Sequence, residues 1–176
     1  VFDRNVYALP ETITYPVLYY RTDIMEELGL TIPQTWEDVR SLITDLNYNN
    51  MEFGLECTFN SYCTLLYQNH GAVYSDSGDC TTIDQQEGVA AFELFTKLYR
   101  EYKLPVSFDF ANRFRSGQMP VAIVSYTSCN TLEIFAPEIR GLWDIALVPG
   151  TLQEDGTLDR TIACGGQNCM MIGATD

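Results

Sequence analysis

Histidine is the scarcest chemical resource in this chain: His70 is the single one among 176 residues. Any Ser-His-Asp or Cys-His mechanism therefore has to pass through it. Set beside Gly71 at an expected helix end, its imidazole reads as a capping or solvent-facing group. Cationic residues are also few, ten Lys and Arg against 24 Asp and Glu, for a net charge of −14. That balance argues against nucleic acid, whose phosphates need clustered Lys and Arg. No apolar run is long enough to span a bilayer, and no signal-peptide pattern is present. The chain begins at Val1 rather than methionine, as a mature product or an excised piece would. Also missing are G-x-S-x-G, G-x-x-x-x-G-K-S/T and G-x-G-x-x-G, and with them the nucleophile elbow and both nucleotide-binding glycine loops.

The six cysteines (Cys57, Cys63, Cys80, Cys129, Cys164, Cys169) include no C-x-x-C pair. Zinc ribbons and thioredoxin-type motifs are accordingly weak readings, and buried free thiols are expected, with a disulfide as the minor alternative. Asp76, Asp79 and Asp84 suggest calcium, yet the glycine and the closing Glu of an EF-hand register are absent, so a solvated turn is expected. No metal and no cofactor are called for. A carboxylate pair such as Glu11 with Glu56 would suit a glycosidase, and nothing in the sequence separates those two from solvated acids.

What is present is enough apolar residue, 46%, for one domain with a real core. Thr12–Tyr20 is rich in β-branched and aromatic residues and reads as strand, with Pro16 marking an edge, a bulge or a crossover between sheets. Thr22 or Asp23 is expected to cap a short helix stopped by Gly29. Thr35 is a good N-cap for a second, in which Trp36, Val39, Leu42, Ile43 and Leu46 recur at helical spacing. A short strand (52–57), a helix (60–69) and a polar loop (74–82) follow. A long helix from Asp84 carries Val89, Phe92, Phe95, Leu98 and Tyr99 on one face. Further on come a short helix (110–116) and a strand (143–148). An acidic loop or hairpin (152–160) precedes a glycine pair that opens an apolar run. Alternating strands and helices give an α/β class with a mostly parallel, helix-covered sheet.

Met119–Phe135 stands out. Pro120–Val124 is a buried strand running into Ser125, Tyr126, Thr127, Ser128, Cys129 and Asn130, after which Leu132, Ile134 and Phe135 resume a helix. Thr127 or Ser128 is positioned to cap that helix. Ligands collect at such strand-to-helix turns in open α/β sheets. Aromatic residues make up 12% of the chain, eleven of them tyrosines. Tyr15, Tyr19, Tyr20, Tyr62, Tyr67 and Tyr126 fall near expected strand ends or turns, and Tyr19, Tyr20, Tyr67 and Tyr99 are expected in the core. Tyr62 and Tyr126 are better candidates for stacking on a sugar ring.

The order of these pieces resembles a known family. Residues 6–43, VYALPETITYPVLYYRTDIMEELGLTIPQTWEDVRSLI, are similar to the middle of extracellular solute-binding proteins of family 1, the maltose-binding-protein-like receptors of ABC importers. Tyr20-Arg21-Thr22-Asp23 stands at that family's Tyr-Asn-Lys-Asp-like turn, and Pro33-Gln34-Thr35-Trp36-Glu37-Asp38 at its Pro-x-Thr-Trp-Glu-Glu-like helix start. Phe114–Ala122 resembles its helix–Gly–strand element, Ser125-Tyr126-Thr127 its ligand-facing turn, GLWDIALVPGTLQEDG its strand to a Leu-Pro-Gly turn, and Cys164-Gly165-Gly166 its returning strand. The likeness covers nearly the whole chain. Thr127 stands where the family often carries tryptophan, Thr14 near a position often aromatic or acidic, and Cys57 and Cys63 are not family hallmarks.

The resemblance implies a three-layer helix–sheet–helix lobe of the type II periplasmic-binding-protein fold. Residues 1–12 would be a crossover or hinge segment, 13–160 the ligand-binding lobe, and 161–176 a return hinge strand toward a second lobe. Family members are about twice this length, as two lobes require. A signal peptide, a lipoprotein cysteine and C-terminal helices would lie outside the chain. The implied function is reception of a small solute, a sugar or oligosaccharide, by hinge closure and its delivery to membrane permease subunits. No catalysis would be involved. The complete protein would be a monomer at the cell envelope, lipid-anchored on the surface or periplasmic. Ser125, Tyr126, Thr127 and Asn130 would contact ligand from one turn and Asn60, Ser61 and Tyr62 from another, with Thr14 and Glu11 on the hinge side. The rival is an enzyme, carbohydrate-active or thiol-based, that uses His70 with a carboxylate or with Cys57, Cys63 or Cys129.

Overall fold

A computed structural model describes residues 8–171. Strand β1 (Ala8–Thr14) and strand β2 (Pro16–Arg21) belong to different sheets. The break falls at Tyr15, and Pro16, which lacks an N–H, takes the first position of the new strand, one of the places a sheet tolerates proline. β1 pairs antiparallel with the last strand, β8 (Gly165–Met171), in a ribbon of its own, with Thr14 opposite Gly165. Pro16 therefore marks a crossover between sheets, one of the three roles its position allowed.

The central sheet has the order β3 (Phe53–Leu55), β4 (Val121–Ser125), β2, β5 (Trp143–Ala146). β3 and β4 are parallel, and β2 runs antiparallel to both β4 and β5. Three of the four strands thus point one way, as a mostly parallel sheet requires, with β2 threaded between two of them. Val121 to Val124 are all buried, so helices cover both faces.

Side chains of β2 and β4 alternate between those faces. Leu18, Val121 and Ile123 join Phe53 and Leu55 under α2 (Trp36–Tyr48), α3 (Phe59–Gln68) and α4 (Gln86–Arg100). Val17, Tyr19, Ala122 and Val124 face α5 (Phe110–Arg115), α6 (Ser128–Phe135) and a 3-10 turn at Pro137–Ile139. β6 (Thr151–Leu152) and β7 (Leu158–Asp159) close a hairpin.

α2 is built as its sequence dictates. Thr35 Oγ1 accepts the Asp38 N–H at 3.1 Å, and the Asp38 carboxylate accepts the Thr35 N–H at 2.8 Å, a complete capping box. Its five spaced apolar residues are all buried. α1 (Thr22–Glu27) differs from expectation. Its N-cap is Arg21, and neither Thr22 nor Asp23 caps it. Asp23 is already engaged: Arg21 Nε and Nη2 donate to its carboxylate at 2.9 and 2.7 Å, which holds that carboxyl below its usual range. Arg21 Nη1 donates onward to the carbonyls of Phe114 and Arg115, tying β2 to the end of α5.

α4 also departs from the sequence pattern. It packs on α3 through Gly88, Ala91 and Leu98. Gly88 also lets the loop before α4 close against the helix, since a Cβ there would lie 2.1 Å from the Ile83 carbonyl oxygen. Phe95 and Tyr99 are half-buried, while Val89 and Phe92 are exposed and form an open groove with Phe59 and Ile83. The thiols differ too. Cys63 is buried and Cys129 half-buried, but Cys57, Cys80 and Cys164 are exposed, and the side chain of Cys169 lies outside the described residues.

Candidate functional site

β3 and β4 end side by side, and the chain leaves each of them through a turn into a helix. Between those turns and the β1–β8 ribbon lies a cavity of about 140 Å³. That is smaller than the range of about 300–1,000 Å³ typical of complete small-molecule sites. The base is apolar, made by Trp36, Leu55, Ile123 and Val148; the rim carries Thr14, Tyr15, Glu56, Thr58, Asn60 and Ser125.

Three hydroxyls run in a chain across the β4 turn. Thr14 Oγ1 is hydrogen-bonded to Ser125 Oγ, which lies 2.8 Å from Thr127 Oγ1 and accepts the Thr127 N–H at 3.3 Å. A hydroxyl offers one donor and two acceptor positions, so Ser125 is saturated by these neighbours. Thr14 and Thr127 keep capacity for a further partner. Thr127 occupies the N-cap position of α6 in helical geometry with no capping bond, because its hydroxyl is directed to Ser125 instead. Capping by Thr127 or Ser128 is therefore not realised.

Tyr126 stacks on Tyr15, ring centroids 5.2 Å apart and planes within 13°. Its N–H donates to the Tyr15 carbonyl at 2.9 Å, which continues the β2–β4 pairing past Pro16 and Ser125. Underneath, the buried Tyr19 hydroxyl donates to the Tyr126 carbonyl at 2.7 Å, and burial pushes its phenol above the ordinary range. The pair presents two partly exposed aromatic faces at the pocket rim.

The second turn precedes α3. Thr58 Oγ1 accepts the Ser61 N–H at 3.3 Å as N-cap, and Ser61 Oγ donates to the Glu56 carbonyl at 2.6 Å. Asn60 projects from the first turn of the helix beside Gly165 of β8. A Cβ on that glycine would lie 3.4 Å from Asn60 Nδ2 and 3.2 Å from Thr14 Cγ2, so glycine is what lets the ribbon pass so near the pocket. Glu56 is exposed at the mouth, yet the protein mass around it raises its carboxyl above the usual range.

One buried polar residue organises the floor. Gln68, fully buried at the end of α3, accepts the Trp36 indole N–H at 2.7 Å and the Thr151 hydroxyl at 3.2 Å. Its amide donates to the carbonyls of Pro149 and Thr161, both at 3.1 Å. The indole plane, and so the pocket floor, is fixed through it.

Of the residues picked out from sequence, Thr14, Asn60, Ser61 and Ser125 line the cavity. Tyr126 and Thr127 border it through their bonds to Tyr15 and Ser125. Asn130 lies exposed on α6 away from the lining, and the side chain of Glu11 is outside the described residues. Tyr62 is not brought to the pocket: it is buried against α4, edge-on to Phe92 and Phe95, with its hydroxyl donating to Gly88 O at 3.3 Å. Sequence reasoning missed Trp36 as floor, Glu56 as rim, Thr58 and Gln68, and it placed Tyr15 near a strand end without its stacking partner. His70 sits on the far end of α3 with Nε2 2.7 Å from Gln153 Oε1 and Nδ1 4.0 Å from Asp159 Oδ2, and no cysteine lies among these partners. Among the described residues no three of His, Cys, Asp and Glu are grouped to hold a metal ion, and no helix is long and apolar enough to cross a membrane.

The family model for bacterial extracellular solute-binding proteins matches residues 1–172. The chain belongs to that family. Solved relatives share the fold at low identity. A Thermotoga lettingae solute-binding protein of an ABC transporter, bound with alpha-D-tagatose, is 22% identical with a TM-score of 0.72, covering 98% of this chain and 46% of its own. The maltose-bound MalE3 of T. maritima is 22% identical at TM-score 0.76, over 94% and 45%. The sugar-binding protein MalE of Xanthomonas citri is 16% identical at TM-score 0.75, over 97% and 45%. This solute-binding protein chain thus spans less than half the length of those relatives, and its α/β architecture is that of the type II periplasmic-binding-protein fold.

Proposed function

We propose that the chain forms one ligand-binding lobe of a receptor that captures a sugar or oligosaccharide and hands it to the permease of an ABC importer. The observation that carries this reading is the half-cleft itself. Stacked tyrosines, spare hydroxyls and an amide ring an apolar floor at the strand ends, the mixture that suits a sugar's apolar ring faces and polar edges. Relatives solved with tagatose, maltose, ribitol and mannitol support the choice of ligand class.

Residues 1–12 and 161–176 act as hinge segments and 13–160 as the lobe, a division supported by the separate β1–β8 ribbon. Closure brings a second lobe over the pocket, and the closed form docks on the permease. Tyr126, Thr127, Thr14 and Asn60 contact the solute directly; Ser125 and Ser61 hold the turns in place. No chemical step is needed. The full-length protein works as a monomer outside the cytoplasmic membrane, anchored by lipid or free in the periplasm.

A thermal-shift screen of the full-length protein against a broad panel of mono- and oligosaccharides and polyols tests the reading. A true ligand at about 100 times its Kd stabilises by about 2.7 kcal/mol, a plain rise in Tm. No shift with any sugar or polyol overturns it.

A further inference from the structure

The charge pattern of the pocket narrows the solute further, on the premise that the sugar-receptor reading holds. Glu56 is the one charged side chain among the described lining residues, and neither lysine, arginine nor histidine is present there. Its backbone is pinned by the Ser61 hydroxyl, while no described cation pairs with its carboxylate. A carboxylate only accepts hydrogen bonds. At the mouth of a concave wall and with no described cation beside it, it attracts O–H and N–H donors and repels anions that enter.

We propose that Glu56 is a specificity-determining residue: its carboxylate accepts a hydroxyl hydrogen of the bound solute and turns away sugars that carry a carboxylate or phosphate. Discrimination of this kind rests on a repulsive element as much as on an attractive one. The acidity of the whole chain acts in the same direction at longer range. Neighbouring Asn60 and Thr14 present dipoles without net charge, so nothing else in the described wall offsets the repulsion.

The test is calorimetric titration of the full-length protein with matched pairs: glucose and glucuronate, galactose and galacturonate, maltose and a maltose phosphate. Wild-type protein should bind the neutral member at least about tenfold more tightly, and the gap should narrow between about 20 mM and 0.5 M salt as the repulsion is screened. Glu56→Gln keeps the size and hydrogen-bonding reach, and should shrink the preference by raising affinity for the acidic member. Equal wild-type affinity for both members, a gap indifferent to salt, or a Glu56→Gln protein with unchanged preference overturns this inference and leaves sugar binding standing. Binding of no sugar at all overturns both. The salt series uses wild-type protein alone, so the test holds whether or not the variant folds.

Discussion

Gln68 is the residue whose replacement probes most directly how this fold holds its pocket floor. It is fully buried and makes four side-chain hydrogen bonds, to Trp36, Thr151 and the carbonyls of Pro149 and Thr161. Gln68→Leu keeps the volume and removes all four. Thr151 and Thr161 are near enough to water to recover, so the true orphans are the Trp36 N–H and the Pro149 carbonyl. Each costs about 1–3 kcal/mol when left unpaired, partly offset by the apolar gain of leucine, for a net loss of about 3 kcal/mol. Gln68→Glu is the sharper variant. It retains the acceptor for Trp36 but sets a carboxylate against two carbonyl oxygens, so its folded pKa must rise above the ordinary value of about 4.3. The folded state then holds a proton that the unfolded state has released. Stability of Gln68→Glu should therefore fall, relative to wild type, as pH rises through about 4 and onward to the raised pKa. Denaturant unfolding of the full-length protein, followed by tryptophan fluorescence between about pH 4 and 8, reads both effects. A Gln68→Leu loss below about 1 kcal/mol, or a Gln68→Glu difference flat with pH, would refute the network as the support of the floor.

Three more outcomes follow from the same geometry. Asp38→Ala removes half of the capping box and should cost about 1 kcal/mol at pH 7. Because the Thr35 amide and hydroxyl hold that carboxyl below its usual range, the wild-type advantage is full above the unfolded pKa and vanishes as pH falls through the folded one, which an acid-unfolding series checks. Gly88→Ala puts a methyl carbon 2.1 Å from a backbone oxygen and should lose about 1–3 kcal/mol or more, visible as a lowered urea midpoint with unchanged slope. Tyr126→Ala in the full-length protein should weaken the best sugar about tenfold or more with the Tm of the unliganded protein shifted little, and an unchanged Kd would remove the stacked pair from the site.

Local signals were the legible ones. α2 could be read because its cap and its repeat lie within one stretch of chain, and the turn after Val124 because a buried run ending in hydroxyls is unusual in itself. The strand break at Pro16 was visible for the same reason, since the missing N–H is a property of one residue. Misses came from contacts across the fold. Asp23 looks like a helix cap until Arg21 is seen to claim it. Trp36 has helical spacing and reads as core, which it is, but the sequence cannot say that the same indole forms a pocket floor. The long helix from Asp84 has an apolar face, and periodicity is silent about what lies against it. Val89 and Phe92 consequently face outward while Gly88 and Ala91 make the contact. Tyr15 could be placed near a strand end but not paired, because its role depends on register: only with Pro16 opposite Ser125 does it meet Tyr126.

That register joins two parts of the molecule that, under the receptor reading, move together. Thr14 and Tyr15 are the last link between the β1–β8 ribbon and the central sheet, and both are bound to the β4 turn, one by its hydroxyl and one by ring and backbone. A bend at Tyr15 has two choices. It can break a side-chain hydrogen bond and a stacked pair, at about 1–3 kcal/mol together, or it can carry the pocket rim along with it. Under the receptor reading, a solute that touches Tyr126 or Thr127 alters that balance by its own differential binding, which is all that is required to shift an open–closed equilibrium. The wall and the hinge are then neighbours in sequence for a mechanical reason. The chain must leave one sheet and enter another at this point, and Pro16 fixes where it does so.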